Sequence, residues 1–229
     1  MSASYSCRVS QARGRSVVDV SLARARAAWF TLLAGSTAYR RLILVQCQID
    51  PPPVLRESTI PLQYDFLERH RIGDLRSLPT DTVPRDAIAR FDRGERCWVG
   101  RHEGRVVSMR WLAERRAYIE YLQTWLNIGA DTVYGYNSVT HPAYRNHGLF
   151  TASLTHLIRV LGAQGYKRKI GAVLPENHAS RQALEKAGYR RAGVIGVFGV
   201  GPWRHPFIHT TAADGLRPAI VCEGSRLGT

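Results

Sequence analysis

Arg145, Asn146, His147 and Gly148 stand directly before an apolar run in THPAYRNHGLFTASL, residues 140–154. That order suits the binding of an anion. Pro142 lacks an N–H and holds His141 extended, so a preceding strand stops there. Gly148 lets another group come close to the backbone. The first N–H groups of the helix that follows have no intrahelical partner, and the helix dipole adds partial positive charge. Such a turn holds a phosphate or pyrophosphate. It is not a P-loop, which would place Gly-Lys-Ser/Thr here, nor the GxGxxG of a dinucleotide-binding fold.

Other residue types with chemical capacity are scattered. Tyr134, Tyr136, Ser138 and Thr140 fall on one face of the strand-like TVYGYNSVT by two-residue alternation, and no carboxylate shares that face. Glu120 lies on the preceding strand-like segment. Cys97 has no evident base partner, which argues against a thiol nucleophile. His205 and His209 flank Pro206-Phe207 without the further ligands that a metal needs, so they read as surface residues and no metal is expected. Trp98, Trp111 and Trp125 occupy strand-like segments and read as core.

The elements that must position these residues alternate in the second half of the chain. Residues 132–140 read as a strand and the stretch from Gly148 as a helix, with Phe150, Leu154, Leu157, Ile158 and Leu161 at helical spacing and Gly162 or Gly165 as its stop. KRKIGAVLP is a strand, residues 177–187 a helix closed by Gly188, and RRAGVIGVFGVG a last strand. Earlier, residues 82–94 resemble a capped helix with Ile88 and Phe91 on one face, and IGDLRSL a short helix. RCWVGRHEGRVVSMRWLAE reads as a hairpin turning at His102-Glu103-Gly104, followed by a strand-rich meander over 118–128. Residues 17–35 read as a helix and YRRLILVQCQI as a strand, ended by Asp50 and the Pro51-Pro52-Pro53 run. This order predicts a mixed α/β fold whose later half alternates strand and helix. Residues 1–60 form an N-terminal extension, 61–203 the main domain and 204–229 a C-terminal tail.

The chain has 229 residues, enough for a real core without disulfide staples. Its 32 basic and 18 acidic residues leave a net charge of +14. Such a surplus favours an anionic partner, or else it reflects arginine-rich solvated faces. The arginines are dispersed, with no basic helix interleaved with stacking aromatics, so a nucleic-acid partner is not expected. Cys7, Cys47, Cys97 and Cys222 form no CxxC pair, which argues against a zinc ribbon and fits a reducing, cytoplasmic setting. AAWFTLLAGSTA is too short to span a bilayer, and the region before it is too long and too charged for an export signal.

The turn gains meaning from a second strand-to-helix junction, PENHASRQALEKAGYRRAG. Together the two resemble the GNAT superfamily of acyl-CoA-dependent N-acyltransferases. That family's first motif runs (Arg/Gln)-x-x-Gly-x-(Gly/Ala) after a Val-x-Pro-like step. Arg145, Gly148 and their neighbours match it, except that Phe150 stands at the final small position. Asn177, Ser180, Gly188 and Tyr189 match the second. The resemblance covers residues 96–200, extends more loosely to residue 62, and does not reach residues 1–60; it implies a central mixed twisted sheet flanked by helices.

It implies that backbone amides of Arg145, Asn146, His147, Gly148, Leu149 and Phe150 hold the pyrophosphate of acetyl-CoA or another acyl-CoA. It also implies that the strand end Val139-Thr140-His141 pairs with the pantetheine arm, and that Asn177 meets that arm from the neighbouring strand. The acceptor is then a small-molecule amine. The tyrosine with which this family often protonates the departing thiolate falls at Leu184. That role is open to Tyr136, Tyr144 or His141, and the general base to Glu120 or His141. Two other readings remain in play: an acyl carrier protein as donor, and a binding module without catalysis.

Overall fold

The computed structural model describes residues 39–200, 203–210 and 220–221. The helix expected over 17–35 lies outside them, as do Cys7 and Cys222. In chain order the first strands are β1 (Tyr39–Gln48), β2 (Gln63–Leu67), β3 (Arg96–His102), β4 (Arg105–Glu114), β5 (Arg116–Ile119) and β6 (Thr124–Asn127). They are followed by β7 (Thr132–Thr140), β8 (Arg168–Val173), β9 (Arg190–Val200), β10 (Trp203–Thr210) and β11 (Ile220–Val221). The α-helices are α1 (Ala87–Asp92), α2 (Leu149–Ala163) and α3 (His178–Lys186).

Eight strands form one sheet in the order β10-β9-β1-β8-β7-β4-β3-β2, and β11, β6 and β5 form a small second sheet. Within the large sheet only β7 and β8 pair in parallel. A parallel connection needs a crossover, and α2 supplies it. β1, which precedes the proline run, lies between β8 and β9 in the middle of the sheet. Residues assigned to an extension thus supply an interior strand, and residues 204–210 of the assigned tail supply all but the first residue of the edge strand β10.

Side-chain alternation puts two different layers on the two faces of the sheet. Trp98 faces α2, donating its indole N–H to Ser153 Oγ at 3.2 Å. Cys97 and Val99 face the opposite layer with Leu75, Leu78 and Trp111. The inner stripe of α2 carries Leu154, Leu157, Ile158 and Leu161, all fully buried against Val45, Leu112, Val133 and Val173. Truncating Leu157 to Ala in that stripe is expected to cost about 3 kcal/mol, through lost transfer energy and an unfilled cavity. Urea unfolding followed by circular dichroism reads this as a lower midpoint at unchanged slope.

Three expectations are corrected. The helix expected over 82–94 shrinks to α1, because Asp86 makes no side-chain cap and its carboxylate instead accepts from Arg90 Nε at 2.8 Å and Arg93 Nη2 at 3.2 Å. Ile88 is 53% exposed. In less than two turns, Ala87 and Arg90 take the inward positions, and Arg90 lies under Trp111 and Tyr136 at 5.4 and 5.0 Å from their ring centroids. The IGDLRSL helix forms as part of a 3-10 helix, Arg69–Ser77. Trp98 and Trp111 are core residues, whereas Trp125 is half-buried.

Candidate active site

The turn before α2 folds as the residue types demand. Asn146 has φ 67° and Gly148 φ 75°, both left-handed, and Gly148 is the residue from which the helix starts. A glycine and an asparagine are the residues that tolerate this backbone. Among the described residues, the N–H groups of Asn146 to Phe150 donate no hydrogen bond. They are unpaired donors at the positive end of a 15-residue helix.

A segment before β2 braces the turn from outside. Thr59 N–H donates to the His147 carbonyl at 3.0 Å, and the Thr59 hydroxyl meets His147 Nδ1 at 2.9 Å. Further along, Arg56 N–H donates to Thr155 Oγ1 at 3.0 Å. His147 therefore anchors the cradle, a role with no local signal in the sequence.

Beside the turn the sheet splits. β7 and β8 pair from Thr132–Arg168 to Gly135–Gly171 and then diverge. A cavity of about 1540 Å³ opens at this fork and reaches both faces of the sheet. On the α2 side it is lined by Phe150, Leu154, Asn177 and Leu184, and on the opposite side by Asp86, Glu95, Glu120 and Tyr136.

Between Met109–Val139 and Trp111–Tyr136 the β4–β7 register shifts by one, so Asn137 and Ser138 together oppose Arg110. Asn137 has φ 43°, and the pair is a β-bulge. The bulge corrects the shared face expected for Tyr134, Tyr136, Ser138 and Thr140. Tyr136 and Val139 both pack toward the layer around Trp111, while Ser138 turns to the α2 side and accepts from Arg110 Nε at 2.6 Å.

The structure also supplies a carboxylate that alternation missed. Glu95, 7% exposed, sits at the entry of β3 and accepts a hydrogen bond from the Tyr136 hydroxyl. Its other oxygen accepts from Arg93 Nε at 2.9 Å. Burial and the Glu95 bond push the Tyr136 phenol far above its ordinary range, so it stays protonated as a donor. Glu120, the carboxylate singled out in the sequence, stands at the same cavity with its side chain 75% exposed, 3.7 Å from Arg90 Nη2.

His141 does not line the cavity. Its Nδ1 accepts from Ala143 N–H at 3.2 Å and caps the turn Pro142–Tyr144, and its ring packs edge-on against Tyr144. Asn177 lines the cavity and caps α3, its side-chain oxygen accepting from Ser180 N–H at 3.0 Å. Phe150 leaves the cradle open: its ring turns toward the sheet, 4.7 Å from the Arg110 guanidinium. Arg145 Nε donates to the Thr140 carbonyl at 3.3 Å, tying the strand end to the turn. Among the described residues no group of three or more His, Cys, Asp or Glu side chains is placed to hold a metal ion, and no helix is long and apolar enough to cross a membrane.

Fold and site together define a mixed α/β protein with unpaired N–H groups at a helix start beside a cleft between two diverging parallel strands. The chain belongs to the Acetyltransferase (GNAT) family, whose sequence model matches residues 62–189, more than half of its 229 residues. Among solved structures it is similar to a GCN5-related N-acetyltransferase from Kribbella flavida, at 12% identity and a TM-score of 0.51 over 75% of this chain and 63% of that one. It is also similar to a GNAT-family acetyltransferase from Colwellia psychrerythraea, at 15% identity and a TM-score of 0.50 over 75% of this chain and 60% of that one. The chain thus spans less than two thirds of either protein. No curated protein matches its sequence.

Proposed function

We propose that this protein is an N-acyltransferase that moves an acyl group from coenzyme A to a small-molecule amine by direct attack. The observation that carries this reading is the cavity at the β7–β8 fork. It runs from Phe150, in the first turn of α2 and adjacent in sequence to the free N–H groups, on one side of the sheet to the Glu95–Tyr136 pair on the other. The cradle would hold the pyrophosphate. The edge of β7 beyond Gly135, unpaired on the β8 side, would accept the pantetheine arm as a strand accepts a neighbour. Its N–H groups would meet the thioester carbonyl and the oxyanion that develops there. Fixing both substrates in one cleft removes much of the entropic barrier.

The chemistry then needs two proton transfers. The amine nitrogen attacks the thioester carbon, a C–N bond forms, and the C–S bond breaks as the tetrahedral intermediate collapses. Glu95, directly or through a water, takes the proton that the nitrogen sheds. Tyr136 hands its hydroxyl proton to the departing thiolate and recovers one from Glu95, so the pair ends as it began. Glu120 is the alternative base. The absence of a hydroxyl at Leu184 is compatible with this relay, which draws its acid from the sheet.

An acceptor screen tests the reading: acetyl-CoA is incubated with a panel of amines, amino sugars and amino-acid derivatives, and free-thiol release is followed with a disulfide reagent. Amine-dependent release, with an acylated product of matching mass, is the expected result. Coenzyme A binding with no release for any amine or acyl-CoA would favour a binding module.

A further inference from the structure

Two basic side chains lie inside the protein at the vertex of the fork with no carboxylate to meet them. Lys169 is 2% exposed and Arg110 4% exposed. Both lie over Gly135, where an added Cβ would collide with Lys169 Nζ, lie 3.1 Å from its Cε and 3.5 Å from Arg110 Cδ. Arg110 spends Nε on Ser138, but its Nη1 is buried with no hydrogen-bond partner. Lys169 packs its ammonium 5.3 Å from the ring centroid of Tyr189, whose buried hydroxyl is also without a partner. Among the described residues neither side chain forms an ion pair with a carboxylate, and the charged or ionisable neighbours acting on Lys169 are Arg110 and the Cys47 thiol. Burying two like charges side by side is costly unless an anion joins them. Burial and Arg110 accordingly pull the Lys169 ammonium well below its ordinary range.

Their place decides which anion. Both residues line the cavity on its α2 side, beneath Phe150 and below the donor cradle, and not on the Glu95 side proposed for the amine. On the proposed path, the acyl end of the donor reaches this vertex. We infer that Arg110 and Lys169 form a pocket for a carboxylate at the far end of the acyl group, so that the donor is a dicarboxylic acyl thioester of the malonyl or succinyl class. The Tyr189 hydroxyl supplies a third donor to the same carboxylate. The distal carboxylate is bound and not consumed; the bonds made and broken are those of the transfer already described, with an N-linked half-amide as product. This inference rests on the coenzyme A reading above.

Competition binding separates the two. Coenzyme A, succinyl-CoA and butyryl-CoA, the uncharged near-isostere, are titrated against the wild-type protein and against Lys169→Met, each checked for folding by thermal melting. Wild type is expected to bind succinyl-CoA at least tenfold more tightly than butyryl-CoA, with the ratio falling to near one in Lys169→Met. Coenzyme A binding with butyryl-CoA equal to or tighter than succinyl-CoA in wild type overturns the pocket while leaving the donor site standing. If no coenzyme A species binds, the donor site itself fails and the pocket with it. The wild-type comparison decides the question even if the variant does not fold.

Discussion

Gly148→Trp is expected to weaken coenzyme A binding at least about 100-fold, because the cradle depends on unobstructed N–H groups at the positive end of a helix. Gly148 has φ 75°, a conformation that costs a non-glycine residue about 1–2 kcal/mol. A Cβ there lies 3.6 Å from the Glu57 carbonyl oxygen and 3.8 Å from Ser58 Cα, so the first atom fits and the rest of an indole does not. The ring must either displace the bracing segment or fold across the N–H groups of Asn146 to Phe150. Gly148→Ala separates strain from obstruction: it should lose about 1 kcal/mol of stability and less than tenfold in affinity. Calorimetric titration of both variants checks this. Equal losses for Ala and Trp would mean that backbone strain, not access, governs the site.

The second large effect is on turnover. Glu95→Gln keeps the shape of the side chain and removes its capacity to take a proton, so kcat is expected to fall about 100- to 1,000-fold. Affinity for coenzyme A should hold, since Glu95 lies on the opposite side of the sheet from the cradle. Tyr136→Phe should cost about tenfold or more in kcat by removing the acid. Glu120→Gln, altering an exposed carboxylate 3.7 Å from Arg90, should change kcat by less than about threefold. Steady-state kinetics on the acceptor found in the screen provide the test. A collapse in Glu120→Gln with Glu95→Gln unaffected would move the base to Glu120.

The parts of the site that follow from local chemistry could be read in the sequence. Gly148 before an apolar helical stripe, Pro142 ending a strand, and Asn177 three residues before Ser180 are signals confined to a few residues, and each folds as its type requires. What depends on pairing could not. The bulge at Asn137 and Ser138 exists because β7 carries one residue more than β4 can match, and YGYNSVT alternates plausibly without it. Asn137, an asparagine with a left-handed backbone, is the one local hint.

Glu95 lies 41 residues from Tyr136 and reaches it through the strand order β7-β4-β3, with no local mark of the encounter. Nothing local marks Lys169 and Arg110 as buried strand residues, since the helix that covers them is set by tertiary packing. The interior place of β1 is equally a matter of topology: the proline run after it signals a break in the chain, not its position in the sheet.

The most direct measurement is a calorimetric titration of the purified, folded protein with coenzyme A, repeated in the presence of inorganic pyrophosphate. A cradle at Asn146 to Phe150 predicts a single site of micromolar affinity, about −8 kcal/mol, weakened competitively by pyrophosphate. No heat at millimolar coenzyme A, or binding that pyrophosphate leaves untouched, would contradict it.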